Sequence, residues 1–390
     1  MPFNLRLYLR DFYYSFFRSE GTPARLSAKR GLLLLFLWAA FPFWNLYIRI
    51  GYALDKIFFP DLKHLYTTDP IFIIGNYRSG STFFHRLLLR DEQFTCLKAW
   101  EIYFAPALCH RKLIRLLLKV SSAIGNPLQK GVRAFDRLLN EIYPMHKTGL
   151  YTYEQDSQLF YHTWSSFNLF AIFPFPALAR RYIYYDQAVP DQERRSQFAY
   201  YRNVITRHIF LHPGKRYLSK NPDFTPAVET LLQQFPNARF INLVRPPEEM
   251  LPSAINLWAS NWRAYGSPPD DYAYIDLIKE YARHWYYYPH KTLSSLGEDR
   301  YQVVQFHRLI NDPKTEILRI YEQFGMEVSQ ELLEILNDES IVSRKDYGGY
   351  PLEEMGLTEQ EIKEEFAPIL QEYDLDLEPT DRHKQRVKRL

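Results

Sequence analysis

An apolar run, Ile71-Phe72-Ile73-Ile74, lies between Pro70 and Gly75 and leads straight into Asn76-Tyr77-Arg78-Ser79-Gly80-Ser81-Thr82. No other stretch limits the fold of this chain so sharply. Four apolar residues without alternation suit a strand buried on both faces, hence a parallel sheet covered by helices. Leu87, Leu88 and Leu89 follow on an expected helix. A strand, a loop of small residues and a helix N-terminus make an anion site. The loop amides turn inward, the helix adds its positive end, and Ser79, Ser81 and Thr82 supply hydroxyls.

The spacing G-x-x-x-x-G-x-[ST] is that of a nucleotide P-loop, but Ser81 stands where that loop carries Lys. Arg78 offers the missing positive charge. The loop is therefore expected to hold phosphate without the Lys and Mg²⁺ chemistry of an ATPase. Further strands are expected at Tyr217-Leu218, 238–244 and 301–306, with helices over 227–235, 251–262 and 313–324. Strands alternating with helices give an α/β fold, a P-loop-like parallel sheet flanked by helices. It occupies one domain over 66–380, after a hydrophobic helical arm at 1–65 and before a basic tail at 381–390.

Charge excludes some functions. Lys and Arg number 48 against 45 Asp and Glu, a net charge of +3, which gives no ground for a nucleic-acid partner. Two cysteines, Cys96 and Cys109, are too few for a disulfide framework or a thiolate zinc site, and no metal-ligand spacing occurs. A metal-free reaction is expected.

The arm interleaves Arg6, Arg10, Arg18 and Arg25 with aromatic residues and then runs uncharged from Gly31 to Ile48. It falls short of the roughly 20 apolar residues of a span and is interrupted by Pro42 and Asn45. Three readings follow: a helix packed on the domain, a helix lying in a membrane interface through residues 1–50, or a span.

The loop segment PIFIIGNYRSGSTFFHRLLLRD resembles the 5′-phosphosulfate loop of sulfotransferases that use PAPS (3′-phosphoadenosine 5′-phosphosulfate). A second stretch, PNARFINLVRPPEEMLPSAINLW, resembles their 3′-phosphate segment, with Arg245 ending a strand and Ser253 on the next helix. Further stretches around Glu101 (LKAWEIY) and Lys220 (RYLSKNPDF) are similar to the bacterial branch, which is related to tyrosylprotein sulfotransferases. The resemblance implies the sulfotransferase fold, PAPS as cosubstrate, PAP (3′-phosphoadenosine 5′-phosphate) as product, and no metal. It implies that Arg78, Ser79, Gly80, Ser81 and Thr82 hold the 5′ end, and that Arg245, Ser253 and Lys345 hold the 3′-phosphate. Arg78 and Lys220 are then the stabilisers of the leaving group.

The base is Glu101 or His162. Cytosolic small-molecule sulfotransferases carry a histidine two residues after the Lys, where this chain has Pro222. The tyrosylprotein and bacterial enzymes carry a Glu a little over twenty residues beyond the loop, and Glu101 lies 23 residues after Arg78. A carboxylate buried beside aromatics is expected to have a raised pKa, which suits a base. His162 in LFYHTWSSF stands in reserve. His85 and His307 are read as structural, and Glu154 and Asp156 receive no role.

Aromatic residues reach 17% of the chain. Tyr151, Tyr153, Phe160, Trp164, Phe167, Phe170, Trp258, Trp262 and Trp285 are expected to line an apolar pocket, although rings of this kind also fill cores. The expected acceptor is a small apolar molecule bearing a hydroxyl, a sterol, lipid or phenol. Alternatives are a peptide tyrosine or glycan acceptor, a P-loop kinase or NTPase, and a catalytically silent nucleotide- or membrane-binding scaffold. The expected place is the cytoplasm, associated with the membrane. The alternative is a type II membrane protein of the Golgi lumen, though no Asn begins an N-x-[ST] site.

Overall fold

The computed structural model describes residues 1–64, 69–142, 149–266, 272–338 and 352–375. Five parallel strands form its sheet: β1 (Ile71–Gly75), β2 (Phe94–Thr95), β3 (Arg216–Lys220), β4 (Arg239–Val244) and β5 (Tyr301–Gln305), in the order β2-β3-β1-β4-β5. The helices that matter for function are α1 (Leu5–Phe17), α2 (Ala28–Phe58), α3 (Ser81–Leu88), α4 (Ala99–Phe104), α5 (Leu108–Ala123), α6 (Pro127–Ile142), α7 (Asp191–Phe210), α8 (Pro247–Tyr265) and α9 (Ile275–Leu293).

All five residues of β1 are buried. Its side chains alternate between two cores. Phe72 and Ile74 enter a large aromatic cluster with Tyr201, Phe224 and Phe240, while Ile71 and Ile73 join Phe84, Leu218, Ile317 and Tyr321. Full burial of each such side chain contributes about 1.5–3 kcal/mol. Strands expected at 238–244 and 301–306 are observed, and Tyr217-Leu218 extends to Arg216–Lys220. β2 has only two residues and shows no periodicity to read.

Strand order places the site. From β1 the chain runs outward to β2 and β3 on one side, then crosses to β4 and β5 on the other. A crevice opens beyond the carboxyl ends of the strands at such a reversal. The C-terminal residues of β1, β3 and β4 border it: Gly75, Lys220 and Val244, followed by Arg245.

The arm is fastened along the domain. Arg30, 1% exposed, donates from its two terminal nitrogens to the carbonyls of Tyr265 (3.0 Å) and Ile172 (2.9 Å). Asp55, fully buried, accepts from the amides of Leu108 and Cys109 at the start of α5 (2.9 and 2.8 Å) and from Arg207 of α7 (2.8 Å). Trp44 and Tyr47 donate to the carbonyls of Tyr103 and Phe104. α2 is long and apolar enough to cross a membrane by length and composition. A span would pull Arg30 and Asp55 from these partners and expose their charges to hydrocarbon, so the geometry favours a helix lying against the domain.

Candidate active site

β1 ends in Gly75 with φ +123°, where a Cβ would stand 2.2 Å from the Leu243 carbonyl oxygen. Glycine alone allows the two strand ends to approach this closely. Thr225 pins the turn from both sides. Its Oγ1 accepts from the Gly75 amide and donates to the Gly75 carbonyl, both at 2.9 Å. Arg78 adopts φ +67° and Gly80 φ +85°, and the chain enters α3. Gly80 is the N-cap and brings no side chain to the first amides of α3. Those N–H groups, with the positive helix end, form an anion cradle. Ser79 lies in the same loop, fully buried, and its Oγ has no hydrogen-bond partner. Such an orphan costs about 1–3 kcal/mol unless a ligand atom satisfies it.

The second motif closes onto this loop. Arg78 Nε donates to Ser253 Oγ at 2.9 Å, across 175 residues of chain. Arg245 Nη1 donates to the Arg78 carbonyl at 3.1 Å. Glu249, in the first turn of α8, accepts from Arg245 Nε at 3.0 Å and is itself bound by His307 at 2.8 Å. Burial acts to raise the Glu249 carboxyl, but His307 and Arg245 outweigh it and keep it below its ordinary value. Phe306 packs against the Arg245 guanidinium, 4.4 Å from ring centre to carbon. The same ring lies where a Cβ at Gly80 would be, 2.8 Å away. Gly80→Ala must therefore strain a left-handed backbone and displace Phe306. We expect it to destabilise the fold by about 1–2 kcal/mol, read as a lower midpoint in a denaturant titration with unchanged slope.

Lys220 ends β3 opposite Ile73 and is 3% exposed. Burial lowers its pKa. Glu154 is the neighbouring charge that does most to keep it protonated, with Asp156 adding to the effect. Beneath it, Asp156 accepts from Tyr201, Tyr217, Ser219 and Asn221. Asp223 accepts from Tyr77 of the loop, Ser157 and Asn168. Burial raises both carboxyls to about 6 against these hydrogen bonds.

A family model for the sulfotransferase family matches residues 70–330. The chain belongs to the sulfotransferase family. It is 23% identical over 269 residues to the omega-hydroxy-beta-dihydromenaquinone-9 sulfotransferases of Mycobacterium bovis and Mycobacterium tuberculosis. That match covers 66% of this chain and 63% of theirs, so it spans less than two thirds of the curated relatives. Its fold is shared with the crystal structures of a sulfotransferase from M. tuberculosis (TM-score 0.68, 20% identity, 93% of this chain and 92% of that one). A sulfotransferase from Mycobacterium avium is similar as well (TM-score 0.67, 20% identity, 84% and 82%).

In this sulfotransferase Glu101 departs from the expectation of a raised pKa. Its carboxylate closes a capping box on the Lys98 amide (2.9 Å) and pairs with the buried Arg111 (3.1 Å), with His208 at 3.5 Å. Burial acts to raise it, but His208, Arg111 and the Lys98 amide prevail and hold it at about 2. A carboxylate so fully engaged is a weak base. His162 packs away under the arm. It stacks edge-on against Trp44 (4.7 Å), shares a 2.6 Å hydrogen bond with Tyr200, and is held by burial at about 3. Lys345 lies outside the described residues. The expected aromatic pocket is instead core. Phe160, Trp164, Phe167, Phe170, Trp258, Trp262 and Trp285 are all buried against one another, and only Tyr151 and Tyr153 of that set reach solvent. Sequence reading passed over Thr225, Glu249 and Phe306. Glu249 alone left a trace, four residues beyond Arg245 on a helix.

Proposed function

We propose that this enzyme moves the sulfuryl group of PAPS to the hydroxyl of an apolar acceptor and releases PAP. The observation that carries this reading is the closure of the two phosphate motifs on each other through Arg78 and Ser253. The donor set fits a nucleotide with two separate anionic ends. The loop amides, Ser79, Ser81 and Thr82 suit the 5′-phosphosulfate; Arg245 and Ser253 suit the 3′-phosphate, with Arg78 between them.

In-line transfer forms a bond from the acceptor oxygen to sulfur and breaks the bond from sulfur to the bridging oxygen. The electron pair leaves on the 5′-phosphate. Lys220 is positioned at a strand end to stabilise that oxygen, where a buried ammonium acts more strongly than in water. The acceptor proton needs a base. Our candidate is Glu154, buried and the strongest negative neighbour acting on Lys220, while the carboxylate of Glu101 is already engaged by Arg111 and the Lys98 amide. The lipid-derived substrate in the names of the mycobacterial relatives supports an apolar acceptor. A separate open groove of about 580 Å³ lies between α2 and α5, lined by Tyr47, Ile50, Leu54, Phe58 and Leu113 and by none of the residues proposed for the nucleotide or the transfer.

We place the enzyme in the cytoplasm, docked on the inner membrane face through its arm. Leu32, Phe36 and Phe43 project outward there beside Lys29 and Arg49. High salt is expected to release it from washed membranes; a requirement for detergent contradicts surface docking.

Radiolabelled PAPS incubated with lipid alcohols, sterols and phenols tests the reaction. Label is expected in an apolar product. Transfer only to a tyrosine peptide or glycan overturns the acceptor, and PAP binding without any transfer makes the chain a silent scaffold.

A further inference from the structure

The α5–α6 hairpin is amphipathic the wrong way round for a soluble protein. The side chains that α5 buries are Leu108, His110, Arg111 and Ser121. The apolar ones it exposes include Leu113, Leu116, Leu117 and Val120, with Ile124 at its C-cap; Leu116 is 57% and Ile124 70% accessible. These follow the spacing of one helical stripe. α6 repeats the pattern with Leu128, Phe135 and Leu138 exposed. The turn between the helices is well made. Ser121 Oγ accepts from the Leu128 amide at 3.0 Å and donates to Gln129 at 2.7 Å, so the hairpin is a defined unit.

Charge accompanies the apolar stripes. Lys112, Arg115 and Lys119 lie beside that of α5, and Lys130, Arg133 and Arg137 form the polar side of α6 opposite its stripe, all exposed. The acidic residues of the hairpin are Asp136 and Glu141, and Asp136 is engaged by the Leu150 amide at 2.9 Å. An apolar face of leucine and phenylalanine with lysine and arginine on the polar side is the pattern of a helix lying in the interface of an anionic bilayer, with the basic side chains reaching to phosphate.

The hairpin also continues the arm. The N-terminus of α5 is capped by Asp55 of α2, and the ring of His110 fills the space that a Cβ at Gly51 would need. Ile50 and Leu54 of α2 thus meet Leu113 of α5 across the open groove. A symmetric contact with a second copy would set these basic rows against each other, which like-charge repulsion opposes.

We propose that the α5–α6 hairpin, inside the catalytic domain, is a second membrane-docking element that lies with the arm in the interface of an anionic bilayer. It rests on the surface-docking reading of the arm, and the variants below separate the two. The groove between α2 and α5 then opens toward the acyl chains.

Flotation of the full chain with vesicles provides the test, using phosphatidylcholine alone and phosphatidylcholine with phosphatidylglycerol in equal parts. Wild type is expected to float with the anionic vesicles and not with the neutral ones. Leu116→Glu with Leu117→Glu, and separately Arg115→Glu with Lys119→Glu, are expected to lower the bound fraction by more than about tenfold. PAP-induced thermal stabilisation should be unchanged in both variants, showing that they fold. Phe36→Glu with Phe43→Glu reads the arm by itself. If the hairpin variants float as wild type does while the arm variant fails, the hairpin proposal is wrong and the arm reading survives. If nothing floats, and light scattering shows a wild-type dimer that Leu116→Glu with Leu117→Glu dissociates, the face is an interface between copies and the proposal is overturned.

Discussion

Lys220→Met is expected to lower kcat by about 10²–10³-fold while leaving the affinity for PAP within a few-fold of wild type. That is the usual loss when one preorganised donor to a developing oxyanion is removed. Met keeps the length and apolar stem of Lys220, so the end of β3 and its register with Ile73 should persist. Burial already disfavours the charged form, so removing the charge need not cost stability. The sign of the pH dependence follows. Lys220 must be protonated to act, and burial sets its pKa below that of an exposed lysine, so activity is lost as pH rises through that lowered value. Lys220→Arg, always charged, should move that alkaline limb upward or abolish it. A fall in KM-dependent terms alone, with kcat intact, would assign Lys220 to binding instead of the chemical step.

Arg111→Met carries the largest expected cost in stability, about 3–5 kcal/mol, because it leaves Glu101 buried without its partner. Arg111 is fully buried, and its Nε also donates to the Ala105 carbonyl at 2.9 Å, tying α4 to α5. The pair has a pH signature. The Glu101 carboxyl lies at about 2 in the fold, against an ordinary value of 4.5. A depressed carboxyl contributes stability above its unfolded pKa and loses it as pH falls toward the folded one. Wild type should therefore lose this contribution between about pH 4.5 and pH 2, and Arg111→Met should show a shallower acid limb over that range. Glu154→Gln offers the contrast. It is expected to lower kcat by about 10²–10⁴-fold with little change in denaturation midpoint. The opposite outcome, an inactive but stable Glu101→Gln beside an active Glu154→Gln, would restore Glu101 as the base.

Much of the fold was legible because its signals are local. The Ile71–Gly75 strand, the turn glycines and the start of α3 sit within one short stretch, where burial on both faces and left-handed backbone leave a plain pattern. Arg245 and Ser253 stood out through the resemblance alone, since nothing in their own surroundings distinguishes a phosphate ligand from a surface ion pair. The raised pKa expected of Glu101 is not observed, for a physical reason. Sequence shows that Glu101 is near aromatics but not that Arg111 and His208 arrive beside it, and partners outweigh desolvation. Aromatic richness misled in the same way. A count of rings cannot tell a lined cavity from rings packed on rings, such as Phe167 against Trp258 and Trp285. The exposed leucines of α5 were invisible because an outward apolar stripe has the same period as an inward one.

The convergence of Arg78, Ser253 and Arg245 on one nucleotide is the central claim, and thermal unfolding with PAP tests it most directly. At about 100 times its dissociation constant, PAP should stabilise wild type by roughly 2.7 kcal/mol. Arg78→Ala and Arg245→Ala should each weaken that shift, and ATP should not reproduce it. An unchanged unfolding temperature at millimolar PAP, or an equal shift in all three proteins, would contradict the site described above.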